Sequence, residues 1–334
     1  MASQLDNSIA LARQFIQSSI ERLPEPAQNV VQAPLAQKAL VALLALGIIR
    51  STNDYLSKWT INNWQRAKPF NPATELVLIT GGCGGIGKQI MEDLAKRGIK
   101  VVILDIQEPS FKLPSNVSFY KSDITSTANI KEVAEQIRSN HGDPTVLVNN
   151  AGLGFDGTIL DEPEAKIRAT FEVNTMSHFW MVKEFLPSMI KNNHGHVITV
   201  ASMASFAALG EMADYCGTKA SAMAFHESLT QELRYWYNAP KVRTSCIHPM
   251  WVRTAMIKML TDAKFDQPIM TVQTVSDAVV DQIVNQDSGT VILPRNLSYY
   301  RLIRAFPSWL QEVARGIGSK PFLKMRKTQP YSPN

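Results

Sequence analysis

A doubly wound α/β fold on a parallel sheet is the architecture that this 334-residue sequence predicts. Three observations lead there. From Thr74 onward, short apolar runs alternate with longer helical patterns, the order that buries a parallel sheet between two helix layers. The first run, Leu76-Val77-Leu78-Ile79, leads straight into the turn Thr80-Gly81-Gly82-Cys83-Gly84-Gly85-Ile86-Gly87. The second, Val101-Val102-Ile103-Leu104, ends in a carboxylate, Asp105, eighteen residues after Gly87.

Taken in order, the chain divides into 1–32, an amphipathic N-terminal segment; 33–50, a hydrophobic membrane-anchor candidate; 51–73, a linker; 74–293, the α/β domain; and 294–334, a C-terminal cap or tail. In residues 3–20, Leu5, Ile9, Ala12, Ile16 and Ile20 recur at helical steps, and Leu23-Pro24-Glu25-Pro26 ends the pattern. No basic start precedes an unbroken apolar region there, so the segment does not read as a secretory leader. The run from Ala39 to Ile49 carries no charge. It is shorter than the ~20 residues that span a bilayer, but Lys38 and Arg50 extend it if they snorkel. A buried core helix is the other reading. Trp59 and Trp64, interleaved with Lys58, Arg66 and Lys68, suit a membrane interface, and Pro69 to Pro72 mark the entrance to the main domain.

Within that domain, strands are expected at Val77–Thr80, Val101–Leu104, Val117–Tyr120, Val146–Asn149, Val197–Ala201, Val242–Ile247 and Gly289–Leu293. The C-terminal segment mixes Tyr299, Tyr300, Leu302, Phe306, Trp309 and Phe322 with Arg301, Arg304, Arg315, Lys320 and Lys324. It caps a lipophilic site, lies on a membrane, packs on a second subunit or joins the domain's own core; all four readings stand at this level. The final residues from Gln329 read as a frayed end.

Composition narrows the partners. Lys plus Arg exceed Asp plus Glu by 34 − 29 = 5, without long basic runs. No nucleic acid is implied; a solvated surface or an acidic membrane face fits better. Cys83, Cys216 and Cys246 are far apart, which gives neither a metal spacing nor a disulfide framework and suits a reducing compartment. His194-Gly195-His196 lacks a nearby third ligand, so no metal is expected.

The chemistry starts at the glycine turn. Gly81, Gly85 and Gly87 give the spacing G-x-x-x-G-x-G, distinct from G-x-G-x-x-G. Strand, glycine turn and helix N-terminus together let a pyrophosphate approach backbone N–H groups. Asp105 then meets an adenosine ribose and repels a 2′-phosphate, and neither Ile106 nor Gln107 is a cation that would greet one. This favours NAD(H), with NADP(H) as the alternative. Asp123, after another strand, accepts from the adenine amino group or caps the next helix. Asn149-Asn150-Ala151-Gly152 ends a strand with two amides that can pin neighbouring backbone. Ser202 lies at the end of the fifth apolar run, and thirteen residues later Tyr215 is followed by Lys219 at i+4. On a helix these two share a face. At an effective dielectric of ~20, an ammonium ~5 Å away favours the phenolate by about 3 kcal/mol, which is roughly two pKa units.

These motifs make the chain resemble the short-chain dehydrogenase/reductase family over roughly residues 74–293. Thr80 to Gly87, with Ile86 inside it, matches T-G-x-x-x-G-I-G; Asn149 to Gly152 matches N-N-A-G; Tyr215 and Lys219 match Y-x-x-x-K. The resemblance implies a catalytic tetrad of Asn174, Ser202, Tyr215 and Lys219, with Asn174 holding a water in the relay. It also implies cofactor contacts at Asn150, Val252 and Thr254. The family's usual Pro-Gly is Pro249-Met250 here, which reshapes the nicotinamide pocket. Thr170 to Asn174, His178-Phe179-Trp180, Phe185-Leu186-Pro187 and Lys191 to His196 resemble the membrane-associated retinol and 17β-hydroxysteroid dehydrogenase branch. That likeness implies a lipophilic alcohol or ketone substrate and an N-terminal hydrophobic anchor. It also implies residence on the endoplasmic reticulum or lipid droplets with a cytosolic catalytic domain, and room for a homodimer. Met250, Trp251, Met256 and Met259 line an apolar substrate pocket or are ordinary core. A sugar-nucleotide epimerase and a silent cofactor-sensing scaffold are the rival readings.

Overall fold

Leu76–Thr80 forms β1, and its side chains alternate between two buried faces: Leu76 and Leu78 on one, Val77 and Ile79 on the other. This two-sided burial, repeated in β2 (Lys100–Asp105), β4 (Val146–Asn149), β5 (Gly195–Val200) and β6 (Val242–Pro249), explains why the strands read as continuous apolar runs. With β3 (Val117–Lys121) and β7 (Gly289–Leu293) they make a seven-stranded sheet in the order β3-β2-β1-β4-β5-β6-β7. Every pairing is parallel.

The computed structural model describes residues 33–154, 157–258 and 267–328 continuously, with isolated positions before residue 26. The amphipathic pattern over residues 3–20, Met259 and the final residues from Gln329 lie wholly or largely outside the described residues. The chain falls into two units, 1–60 and 61–334.

In the second unit, α2 (Gly85–Lys96) and α7 (Val272–Asn285) cover one sheet face. Ile90, Met91, Leu94, Val275, Val279 and Ile283 pack there against Val77, Ile79, Val101 and Ile103. On the other face α3 (Thr127–His141), α5 (Ser177–Asn192) and α6 (Ala213–Tyr235) bring Ile137, Phe185 and Leu229 against Leu78, Val102 and Leu147. Ser126 caps α3 by accepting from the Asn129 N–H. α4 (Glu164–Phe171) leads into a π-turn, Glu172–Met176, before α5. A 3₁₀ run, Arg295–Ala305, and α8 (Ser308–Thr328) close the chain.

Register explains the strand ends that local pattern misplaced. β5 begins at Gly195 because Gly195 pairs with Val242, and β6 runs on to Pro249 because Pro249 pairs with Leu293. Since β1 is bonded to both β2 and β4, the strand order reverses there. A crevice therefore opens beyond the carboxyl ends of β1 and β4, where ligands bind in open α/β sheets.

The first unit holds most of α1, Pro34–Ile61, a 28-residue helix. It continues eleven residues beyond Arg50, through part of the stretch read as linker. Immediately after it, Asn62 to Gln65 belong to the second unit. Buried Arg243 donates to Asn62 O (2.8 Å) and Gln65 O (2.6 Å), and Asn63 Nδ2 donates to Pro240 O at 2.8 Å.

Candidate active site

The glycine turn leaves β1 at Gly81, whose φ of +67° lies in the left-handed region open to glycine. Asn150, at the end of β4, locks it: Nδ2 donates to Thr80 O at 2.9 Å and Gly81 O at 3.3 Å. A Cβ on Gly87 would stand 2.2 Å from Gly81 O and 2.6 Å from Asn150 Nδ2, so the first turn of α2 can pack on Gly81 only through a glycine. Asp105 accepts from the Cys83 N–H at 3.0 Å and the Gln107 N–H at 3.0 Å. It thus braces the turn while lining the crevice. Asp123 accepts from the Thr125 N–H and hydroxyl, which organises the entry to α3, and it too lines the crevice.

The tetrad residues come from three elements. Asn174 sits in the π-turn, a feature that recurs at functional sites. Its amide clamps Leu153 at both ends, Oδ1 accepting from Leu153 N and Nδ2 donating to Leu153 O, each at 2.7 Å, with Thr218 Oγ1 at 3.1 Å. That side chain is committed to shaping the loop after β4, a positioning task in addition to the one implied by resemblance. Ser202 follows β5 and starts a 3₁₀ turn, Met203–Ser205, with its Oγ accepting from Ala204 N. His248 holds its main chain through an Nδ1–H donated to Ser202 O at 3.0 Å. Burial pushes the His248 imidazole down to about 4, so the ring is neutral. Tyr215 and Lys219 lie on α6, Lys219 Nζ being 5.7 Å from the Tyr215 ring centroid and donating to Val200 O at 2.9 Å. A Cβ on Gly152 would meet Asn174 Oδ1 at 3.4 Å and Lys219 Nζ at 3.5 Å; the bare glycine keeps these groups neighbours.

Electrostatics departs from the sequence expectation. Burial pushes the Tyr215 phenol up to about 12, although a hydrogen bond from Ser202 favours the phenolate. Burial also pushes the Lys219 ammonium down to about 8. The expected lowering of Tyr215 by Lys219 counted one nearby charge but not the desolvation of both groups, which outweighs it.

Residues 75–265 match the short chain dehydrogenase family. The chain belongs to that family. It is 39% identical over 209 residues to the dehydrogenase RED2 of Cochliobolus heterostrophus, covering 62% of this chain and 78% of that one. It is 33% identical over 285 residues to the human (Homo sapiens) 17-beta-hydroxysteroid dehydrogenase 13, covering 83% of this chain and 91% of that one. Its fold resembles the 3-ketoacyl-(acyl-carrier-protein) reductase from Brucella melitensis complexed with NADH, with a TM-score of 0.60 at 20% identity over 66% of this chain and 98% of the other. This short chain dehydrogenase is a nicotinamide-dependent oxidoreductase.

Its residues fit such a cofactor. A cavity of about 860 Å³ runs from Gly81, Gly84, Gly85 and Ile86 past Asp105, Asp123 and Asn150 to Ser202, Tyr215 and Lys219, with Val252 and Thr254 in its wall. A Cβ on Gly84 would meet nothing within 4 Å, so the cradle is open over the N-terminus of α2. The first N–H groups of that helix have no intrahelical acceptor and face an anion favourably.

Beyond the tetrad this dehydrogenase's cavity becomes apolar: Met203, Met250, Trp251, Met256 and Phe322 line it. Met250, Trp251 and Met256 line the cavity, and Met250 and Trp251 also pack against buried core residues. The C-terminal segment supplies Leu297, Tyr300, Ala314, Ile317, Gly318 and Phe322, which makes it a cavity wall. His248, Tyr300 and Gln267 carried no local signal; only aromatic richness hinted at the wall. His194 and His196 diverge, bonding to Glu75 and to Ser245.

Proposed function

We propose that this chain is an NAD(H)-preferring dehydrogenase that interconverts a lipophilic alcohol and its ketone or aldehyde at a membrane surface. One observation carries the reading: a single cavity has the glycine turn at one end, Ser202 and Tyr215 in the middle, and an apolar wall at the other. The dehydrogenase names of the relatives support it.

Bound nicotinamide supplies or accepts the hydride at its C4. The chain's own residues handle the oxygen and the proton. Ser202 holds the substrate oxygen with its hydroxyl, and His248 and the Ala204 N–H fix where that hydroxyl stands. Tyr215 gives its proton to the oxygen in reduction and takes it back in oxidation. With the phenol pushed up to about 12, it rests protonated at neutral pH and is armed as an acid. Lys219, still largely cationic below about 8, stabilises the phenolate that reduction leaves behind. Asn174 keeps Leu153 in place beside them. Asp105 faces the adenosine ribose and disfavours a 2′-phosphate, which gives the NAD(H) preference.

α1 anchors the domain to the endoplasmic reticulum or a lipid droplet. Leu43, Leu44, Leu46, Ile48 and Ile49 are exposed and cover every side of the helix, a pattern that suits lipid all round. At ~1.5 Å per residue the 28 residues extend ~42 Å, enough to cross a ~30 Å hydrocarbon layer. The Lys and Arg that follow Ile49 support a cytosolic catalytic domain.

The test is a nicotinamide absorbance assay on the full-length protein with both cofactors. Its panel holds steroids, retinoids, fatty alcohols, polyketide-like ketones and nucleotide sugars. Turnover of lipophilic compounds with NAD(H) is expected; activity confined to nucleotide sugars, or none at all, overturns the reading.

A further inference from the structure

Away from the cavity stands a run of exposed aromatic side chains. Tyr235 ends α6, and Trp236 and Tyr237 follow it; Trp236 is 74% exposed. Rings of this size carry a large apolar area, and a contiguous exposed group of them marks an interaction surface. Trp64 is exposed too. Its neighbour fixes it to the same region: Arg234 donates to Asn63 Oδ1, and Asn63 Nδ2 donates to Pro240 O at 2.8 Å.

These residues stand at the amino end of the sheet. Pro240 precedes β6, and Arg243, the second residue of that strand, holds Asn62 and Gln65. From Arg243 to Pro249, where β6 meets the cavity, six residues at ~3.3 Å each give ~20 Å. The aromatic patch and the cavity therefore lie at opposite ends of one strand.

Basic residues ring the patch. Lys191 and Lys241 are exposed there, brought together by Asn193, whose Oδ1 accepts from Lys241 N at 2.9 Å. Arg66 and Lys68 are exposed just beyond Gln65. Two carboxylates at this end are engaged with protein: Glu75 is buried against His194, and Glu232 accepts from the Tyr237 hydroxyl at 3.1 Å. Tyr and Trp, each with an apolar body and a polar tip, suit the headgroup level of a membrane, and Lys and Arg beside them attract anionic lipid. Chain continuity points to the same occupant. The chain enters this unit at Ile61, the last residue of apolar α1, and Asn62 to Gln65 are already fixed to β6. That tether has no free length to bring another end of the domain to a membrane that holds α1.

Building on the anchor reading above, we infer that the amino end of the sheet is a seat for an anionic phospholipid surface. Tyr235, Trp236 and Trp64 enter the headgroup layer, Lys191, Lys241, Arg66 and Lys68 meet its phosphates, and the cavity end of the sheet faces away from lipid. The rival face is α8, where Trp309, Val313 and Ile317 are exposed at i, i+4 and i+8.

The experiment places the full-length protein in phosphatidylcholine vesicles with and without phosphatidylserine, and reads tryptophan quenching by lipids brominated high on the acyl chain. Differences from Trp236→Phe and from Trp309→Phe assign the quenched emission to each ring. Trp236 should be quenched, roughly twofold more with phosphatidylserine than without it, and Lys191→Gln with Lys241→Gln should remove that increment. Trp309 should stay unquenched, and NADH affinity should match wild type in every variant. An unquenched Trp236, the result if water or a partner protein covers the patch, overturns the inference. So does quenching of Trp309 equal to or above that of Trp236, or quenching indifferent to both phosphatidylserine and the lysine substitutions. If alkaline carbonate strips the protein from the vesicles, the anchor reading fails by itself. Flotation of unwashed protein then decides the inference: capture by phosphatidylserine vesicles that falls about tenfold in Tyr235→Ser with Trp236→Ser supports it, and absent or unchanged capture overturns it.

Discussion

Replacing Gly87 and Gly84 one at a time by alanine separates the turn's fold from its ligand. In Gly87→Ala the new methyl would lie 2.2 Å from Gly81 O and 2.6 Å from Asn150 Nδ2. One of those groups is main chain and the other is already bonded to Thr80 O and Gly81 O, so neither yields freely. Loss of the two Asn150 hydrogen bonds costs ~1 kcal/mol each, and overpacking adds roughly 1–3 kcal/mol. The sum is about 3–5 kcal/mol; at ~2 °C per kcal/mol for a domain of this size, Tm falls by roughly 6–10 °C. In Gly84→Ala the methyl meets nothing within 4 Å, and φ is −151°, extended backbone that any residue adopts. Its Tm should match or slightly exceed wild type, because alanine restricts the unfolded chain. Its methyl, however, projects into the cradle where a pyrophosphate must sit, so NADH affinity should fall at least tenfold. Calorimetry and a NADH fluorescence titration give both numbers. A Gly84→Ala protein that binds NADH like wild type would refute the cradle, and an unshifted melt for Gly87→Ala would refute the packing argument.

Tyr215→Phe should keep cofactor binding and lose ~10²–10⁴-fold in turnover, the range for a lost acid–base group; near-normal rates would remove Tyr215 from the relay. With Tyr215 up to about 12 and Lys219 down to about 8, reduction should be level from pH 6 to about 8, whereas oxidation, which needs the phenol to give up its proton, should climb with pH; kcat/KM in both directions checks the opposite slopes. For stability the sign is likewise set: Lys219 binds fewer protons folded than unfolded between about pH 8 and 10.5, so its contribution rises with pH there, and the difference in unfolding free energy between wild type and Lys219→Met should grow across that window. Asp105→Ser with Ile106→Arg should move preference from NAD(H) to NADP(H); a wild type that already prefers NADP(H) on kcat/KM contradicts the role given to Asp105. Removing residues 1–60, which leaves the Asn62 to Gln65 contacts with Arg243 and Pro240 intact, should move the protein from a carbonate-resistant membrane fraction to the soluble one with its cofactor site preserved. Full-length protein that is soluble before any wash would rule out the anchor.

The fold and the candidate catalytic residues were legible in the sequence because each signal is local. A strand, a glycine turn and the next helix are chain neighbours, and Tyr215 and Lys219 share a face through the helical repeat, so spacing along the chain stands in for spacing in space. The strand ends were less legible, since β5 and β6 stop where their neighbours' register stops. Three things were settled by tertiary structure. The C-terminal segment, for which four roles stood open, became a wall of the cavity because packing brings Tyr300 and Phe322 beside Met250 and Trp251. Arg243 reaches back 181 residues to Asn62, a contact that no window of sequence contains. Burial decides the direction in which Tyr215 and Lys219 shift: the charge of Lys219 is written in the sequence, but the depth at which it and Tyr215 lie is a property of every element packed around them.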